Sequence, residues 1–78
     1  MYYVYVLKCK EGNIYTGCTH DLKDRIERHK KGYVIATKER RPIELITYTA
    51  FQDKYKAFEF EIYLKSGSGR AFIKKHFL

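Results

Sequence analysis

The chain opens on Tyr-Tyr-Val-Tyr-Val-Leu-Lys-Cys-Lys-Glu-Gly-Asn-Ile-Tyr-Thr-Gly, residues 2–17. Two runs of β-branched and aromatic residues flank a polar turn around Glu11, Gly12 and Asn13, and this predicts a β-hairpin. No other stretch constrains the fold as tightly, because side chains alternate across a strand and the turn decides which residues of the two arms share a face. Tyr5 and Tyr15 lie on one face only if odd residues pair with odd, with Tyr5 opposite Gly17 and Leu7 opposite Tyr15. That register needs an odd-length loop or a bulge around Lys10 to Gly12. A two-residue Glu11-Gly12 turn without a bulge would separate the tyrosines. In the odd register Gly17 would leave room beside Tyr5 for a substrate.

Downstream, Thr19 or Asp21 can cap a helix through Leu22, Arg25, Ile26 and His29 that stops at Gly32. Leu22, Arg25, Ile26 and His29 share one face at i, i+3, i+4, i+7 spacing, so Arg25 and His29 lie on or beside the packed stripe. An arginine there needs a partner. Residues 33–42, with Thr37, Lys38, Arg40 and Arg41, read as a basic loop suited to phosphate contact. Residues 43–51 read as a third strand. Asp53 can cap a helix from Lys54 to about Lys65, in which Ala57, Phe60 and Leu64 cluster and Glu61 lies at their rim, while Glu59 falls on the opposite side. Glu61 also has Lys65 at i+4, an ordinary surface pair worth only ~0.2–0.5 kcal/mol. Gly67 reads as the helix stop and Ser68 as the cap of a last short helix through Phe77. Ser66 to Arg70 lacks both the spacing of a phosphate-binding Walker loop and the Lys-Ser or Lys-Thr that follows it. The order β-β-α-β-α-α predicts an α+β fold, a three-stranded antiparallel sheet flanked by helices.

With 78 residues the chain is expected to form a single domain over 1–78, its small core enlarged by eight tyrosines and five phenylalanines. Cys9 and Cys18 are too sparse for a disulfide framework and read as reduced thiols. No apolar run approaches the ~20 residues of a membrane span and no signal segment opens the chain, so a cytoplasmic protein with no membrane partner is expected. Sixteen Lys and Arg against nine Asp and Glu give a net charge of +7, spread along the chain. That balance points to a polyanionic partner met by a folded basic face. No Cys/His cluster has structural zinc spacing, and no serine or cysteine sits in a nucleophile elbow. What remains is Tyr5, Tyr15, Arg25, His29 and Glu61.

This set, in this order, resembles the GIY-YIG nuclease superfamily, particularly its short single-domain bacterial branch. The first triplet stands here as Tyr3-Val4-Tyr5 and the second as Tyr15-Thr16-Gly17. Asp21-Leu22-Lys23-Asp24-Arg25 with His29 resembles the family's arginine helix. Ala57 to Glu61, followed by Lys65-Ser66-Gly67-Ser68-Gly69-Arg70, resembles its glutamate helix and the tail of the short branch. Tyr3 replaces the glycine of the first triplet and Thr16 an isoleucine of the second, variations that the short branch tolerates.

The resemblance implies a metal-dependent endonuclease that hydrolyses DNA phosphodiester bonds, in DNA repair or recombination, using one Mg2+ or Mn2+ ion. Carried over by position, Glu61 would hold the metal, Arg25 would bind the scissile phosphate, Tyr5 or Tyr15 would activate or position the attacking water, and His29 would assist. The chemistry suits those residue types. Magnesium is commonly held by one or two carboxylates plus waters and substrate oxygens, and the arginine fork pairs bidentately with phosphate. Tyrosine is a poor base at neutral pH unless a neighbour helps it. Lys23, Lys38, Arg40, Arg41, Lys65 and Arg70 are the expected nucleic-acid contacts, and a partner protein or a homodimer would supply target recognition. The alternative is a DNA-binding module of the same fold with little or no catalysis.

Overall fold

The computed structural model describes all residues, Met1–Leu78. Strand β1 (Tyr2–Lys8) and strand β2 (Ile14–Thr19) form the hairpin, followed by helix α1 (Leu22–Lys31), a one-turn helix α2 (Ile35–Lys38), strand β3 (Glu44–Phe51), helix α3 (Lys54–Lys65) and helix α4 (Gly67–Phe77). The three strands form one antiparallel sheet in the order β2-β1-β3, so β1 is central and β2 and β3 are free edges. No helix is long and apolar enough to cross a membrane.

The hairpin adopts the odd register. Tyr5 pairs with Gly17 and Leu7 with Tyr15. The loop between the strands, residues 9–13, is odd in length and turns through a 3-10 segment with Glu11 at φ 64° and Gly12 at φ 81°. Alternation then gives the sheet two unlike faces. Val4 and Val6 pack against Ala57 and Leu64 of α3 and Ile73 of α4. Tyr5 and Leu7 pack with Cys9 against Ile26 of α1. Helices α1 and α3 therefore lie on opposite sides of the sheet. Both cysteines are free thiols.

Capping explains the helix ends. The Asp21 carboxylate accepts from the Asp24 amide at 3.1 Å and opens α1, and Gly32 closes it with φ 80°. Asp53 accepts from the Tyr55 amide at 2.8 Å and opens α3.

Two expectations are corrected. Gly67 is not a stop and Ser68 is not a cap: Ser66 ends α3 by donating its hydroxyl to the Tyr63 carbonyl at 2.6 Å, and starts α4 by accepting from the Gly69 amide at 3.1 Å. One serine does both because its backbone is extended, ψ 168°. Gly69 permits the sharp corner, since a side chain there would overlap the Tyr63 carbonyl and the Leu64 backbone. The second correction concerns residues 33–42, which are not wholly loop: α2 forms within them and buries Thr37. Its Thr37 hydroxyl is hydrogen-bonded to His29 of α1.

Candidate active site

The site is assembled around the free edge of β2. Tyr5, on central β1, is 0% exposed. Its hydroxyl lies 2.8 Å from His29 Nε2, and His29 Nδ1 lies 2.7 Å from the Thr37 hydroxyl. His29 and Thr37 are also 0% exposed, so the three side chains form a closed polar chain inside the protein. Burial raises the Tyr5 phenol far above the ordinary tyrosine value, with Tyr15 adding to the rise, Arg25 opposing it and Glu61 contributing least. Tyr5 therefore keeps its proton at neutral pH. Burial, and after it the charge of Arg25, holds His29 below the ordinary imidazole value, so the ring is neutral. A neutral imidazole has one donor and one acceptor nitrogen. The assignment consistent with a protonated Tyr5 has the phenol donating to Nε2 and Nδ1–H donating to Thr37.

Tyr15 differs. It lies on the same face as Tyr5, with ring centroids 6.3 Å apart, and 5.1 Å from the His29 ring. It is only half-buried, because β2 has no strand beyond it. Its hydroxyl makes no hydrogen bond to another side chain or to the backbone, and the residue borders an edge groove with Thr16, Lys65 and Arg70. Gly17 is buried between the two tyrosines: a Cβ there would lie 2.5 Å from the Tyr5 hydroxyl and 3.1 Å from the Tyr15 ring. The expectation that Gly17 makes room for a substrate is corrected accordingly, because the space beside it is filled by the phenol of Tyr5.

Arg25 and Glu61 reach this edge from the two sides of the sheet. Arg25 lines a small depression with Cys18, Thr19 and Phe58. The Cys18 thiol is raised first by burial, then by Glu61, with Arg25 opposing, so both charges lie within electrostatic reach of β2. Arg25 is half-buried, yet its guanidinium has no carboxylate within 4.0 Å. The ion pairs of the protein are Arg28–Asp24 at 2.8 Å, Lys56–Glu59 at 4.0 Å and Lys65–Glu61 at 3.0 Å. The chain thus supplies no carboxylate partner for Arg25, whose guanidinium lies within reach of the Tyr5 phenol.

The donor set can be tested against a metal. His29 is committed at both nitrogens, and no three His, Cys, Asp or Glu side chains cluster. A site held wholly by protein is absent. Glu61, 21% exposed, offers hard carboxylate oxygens. That fits a hard divalent ion which keeps waters and takes substrate oxygens. It does not fit zinc.

The basic residues divide. Arg40, Lys65 and Arg70 border the groove beside Tyr15. Lys23 lines a different depression with Tyr3 and Tyr48, towards the β3 edge. Arg41 donates from Nε to the Lys38 carbonyl at 3.0 Å, and its guanidinium covers Gly32. The structure does not bring Lys23, Lys38 or Arg41 together with the tyrosines. Sequence reasoning placed Thr37 in a loop suited to phosphate contact and missed its buried pairing with His29. The available signal was the placement of His29 on a buried stripe, since a buried imidazole needs a partner on each nitrogen.

A family model described as the GIY-YIG catalytic domain matches residues 1–75. A UPF0213 protein of Staphylococcus saprophyticus is 36% identical over 74 residues, covering 94% of this chain and 90% of the relative. A UPF0213 protein of Clostridium perfringens is 41% identical over 66 residues, covering 83% and 71%. Among solved structures, the solution NMR structure of a UPF0213 protein from Bacillus halodurans matches with a TM-score of 0.61 at 35% identity, over 96% of this chain and 84% of that one.

Proposed function

The chain belongs to the GIY-YIG catalytic domain family, and from that premise we propose that it is a single-domain, metal-dependent endonuclease hydrolysing DNA phosphodiester bonds in DNA repair or recombination. Nuclease-type activity is what the family implies. The observation that carries the finer reading is Arg25, a half-buried residue with no carboxylate within 4.0 Å, at the β2 edge where the charge of Glu61 is also felt and where the Tyr15 phenol has no protein partner. A half-buried cation left unpaired is unfavourable unless an anion completes it. The planar fork of arginine matches phosphate.

In this mechanism Arg25 binds two oxygens of the scissile phosphate and stays with them as charge builds in the transition state. Tyr15, at the groove, orients the attacking water, and in its phenolate form it takes up the proton that the water loses on attack. Tyr5 cannot meet that water directly, being wholly buried and holding its own proton tightly. Its role is positioning: together with His29 and Thr37 it sets the floor on which the Tyr15 ring rests. Glu61 would hold a single Mg2+ or Mn2+ ion, which when bound supplies Lewis acidity for the leaving oxygen. Lys65 occupies that carboxylate at 3.0 Å.

The Lys65 ion pair is the one observation favouring a DNA-binding module of the same fold without catalysis. Its magnitude decides against that reading. The pair is i, i+4 and Lys65 is 52% exposed, so it contributes only about 0.3–0.5 kcal/mol, too little to hold a carboxylate against a divalent ion.

The test is nicking of supercoiled plasmid and of branched DNA with magnesium or manganese. Expected is cleavage that Glu61→Gln lowers at least about 1,000-fold with folding unchanged. Wild-type protein that nicks no more than Glu61→Gln, across several DNA structures, overturns the reading.

A further inference from the structure

The groove beside Tyr15 does not end there. Its volume is about 210 Å³, with a floor of Ile14, Leu64 and Ile73. At Ile14, Arg70 and Ile73 it runs into a shallower depression of about 590 Å³ that continues past Lys74 to the hairpin turn at Gly12 and Asn13. The two together make a channel along the free edge of β2.

Its cations come from separate elements. Arg40 precedes β3, Lys65 ends α3, and Arg70 and Lys74 stand one turn apart on α4. Arg40 is tied to the hairpin through its carbonyl, which accepts from the Lys10 amide at 2.7 Å. Arg70 is anchored by Nε, which donates to the Lys65 carbonyl at 3.3 Å and leaves both terminal amino groups free. Arg40, Arg70 and Lys74 have no acid partner within 4.0 Å. Cations gathered without acids repel one another, and a polyanion relieves that repulsion. Lysines often guard a free sheet edge against pairing. That use needs charge on the strand itself, and β2, Ile-Tyr-Thr-Gly-Cys-Thr, carries none.

We propose that this channel binds the sugar–phosphate backbone of one DNA strand as it leaves the reacting phosphodiester. Arg40, Lys65 and Arg70 hold the phosphate nearest Tyr15, and Lys74 holds the backbone farther along towards the hairpin turn. The direction of the track rests on the proposal that Tyr15 marks the reacting end. The binding itself does not.

The experiment measures binding of a fluorescent single-stranded oligonucleotide by anisotropy, in EDTA, over a series of salt concentrations. Arg40→Ala and Arg70→Ala are each expected to weaken binding several-fold and to reduce the slope of log affinity against log salt by about 0.7, the loss of one phosphate contact on a single strand. Lys56→Ala, which removes a cation paired with Glu59, is expected to leave the slope unchanged. Amide chemical shifts of Ile14, Thr16, Arg70 and Lys74 in the wild-type protein should move on titration with the oligonucleotide, a readout that needs no variant. Slopes unaltered in both arginine variants, or shifts confined to α1, overturn the channel. Tighter binding of RNA than of DNA of the same sequence overturns DNA as its occupant. The assay in EDTA needs neither metal nor cleavage, so a failed channel and a failed endonuclease are told apart.

Discussion

Tyr5 and Tyr15 are the same residue type, on the same face of the same hairpin, with rings 6.3 Å apart, yet their surroundings differ in kind. Tyr5 stands on the central strand, with β2 on one side and β3 on the other and α1 above it. Every polar atom there must find a partner inside the protein, and the phenol finds His29. Tyr15 stands on the edge strand and borders a groove. Position in the sheet thus separates a side chain that braces the site from one that can meet a substrate. The same burial that fixes Tyr5 disqualifies it as a base, because an ionised phenol in a closed pocket next to a second tyrosine is doubly penalised.

Replacing each hydroxyl breaks or sharpens this contrast. The largest effect is expected for Tyr15→Phe. Loss of a positioned proton acceptor should lower DNA cleavage by about 100- to 10,000-fold, with thermal stability within about 0.5 kcal/mol of the wild type. If Tyr15→Phe cleaves normally while Tyr5→Phe is dead, the two roles are reversed.

Tyr5→Phe is expected to act mainly on the fold. It leaves His29 Nε2 buried without a donor, an arrangement that costs about 1–3 kcal/mol, read as a lowered denaturant midpoint with an unchanged m-value. Cleavage by the folded fraction should stay within about tenfold of wild type.

The smallest effect is on pH dependence. His29 is held below the ordinary imidazole value of about 6.5, so on acidification the unfolded chain takes up a proton that the folded chain resists. Stability is therefore complete above about pH 6.5 and declines as pH falls through the folded-state value. A melting series should show that decline, and His29→Gln should flatten it. A wild-type curve already flat over that range contradicts a buried neutral imidazole.

Much of this architecture is local in origin and could be read from residue order. Period-2 alternation reduced the register to odd or even pairing, and the odd-length loop over residues 9–13 in the structure decided it, with Tyr5 opposite Gly17. Helix α1 followed from Asp21, Gly32 and the stripe through Ile26 and His29, and α3 from Asp53 and the cluster through Ala57 and Leu64. Where capping was ambiguous, the reading slipped by two residues: Ser66, Gly67 and Ser68 all suit a helix boundary, and only the sharp corner at Gly69 selects Ser66.

By itself, then, the sequence determined the strands, the main helices and the inward direction of Arg25 and His29, since propensity, capping and periodicity act over a few residues. Tertiary structure decided the rest. The order β2-β1-β3 buried one tyrosine and left the other open. The pairing of His29 with Thr37, eight residues away, ties the short helix α2 to α1. The absence of any carboxylate within 4.0 Å of Arg25, and the gathering of Arg40, Lys65, Arg70 and Lys74 along one strand edge, depend on where distant elements come to rest. Exposure and charge compensation are properties of the packed surface, which no local window of sequence contains.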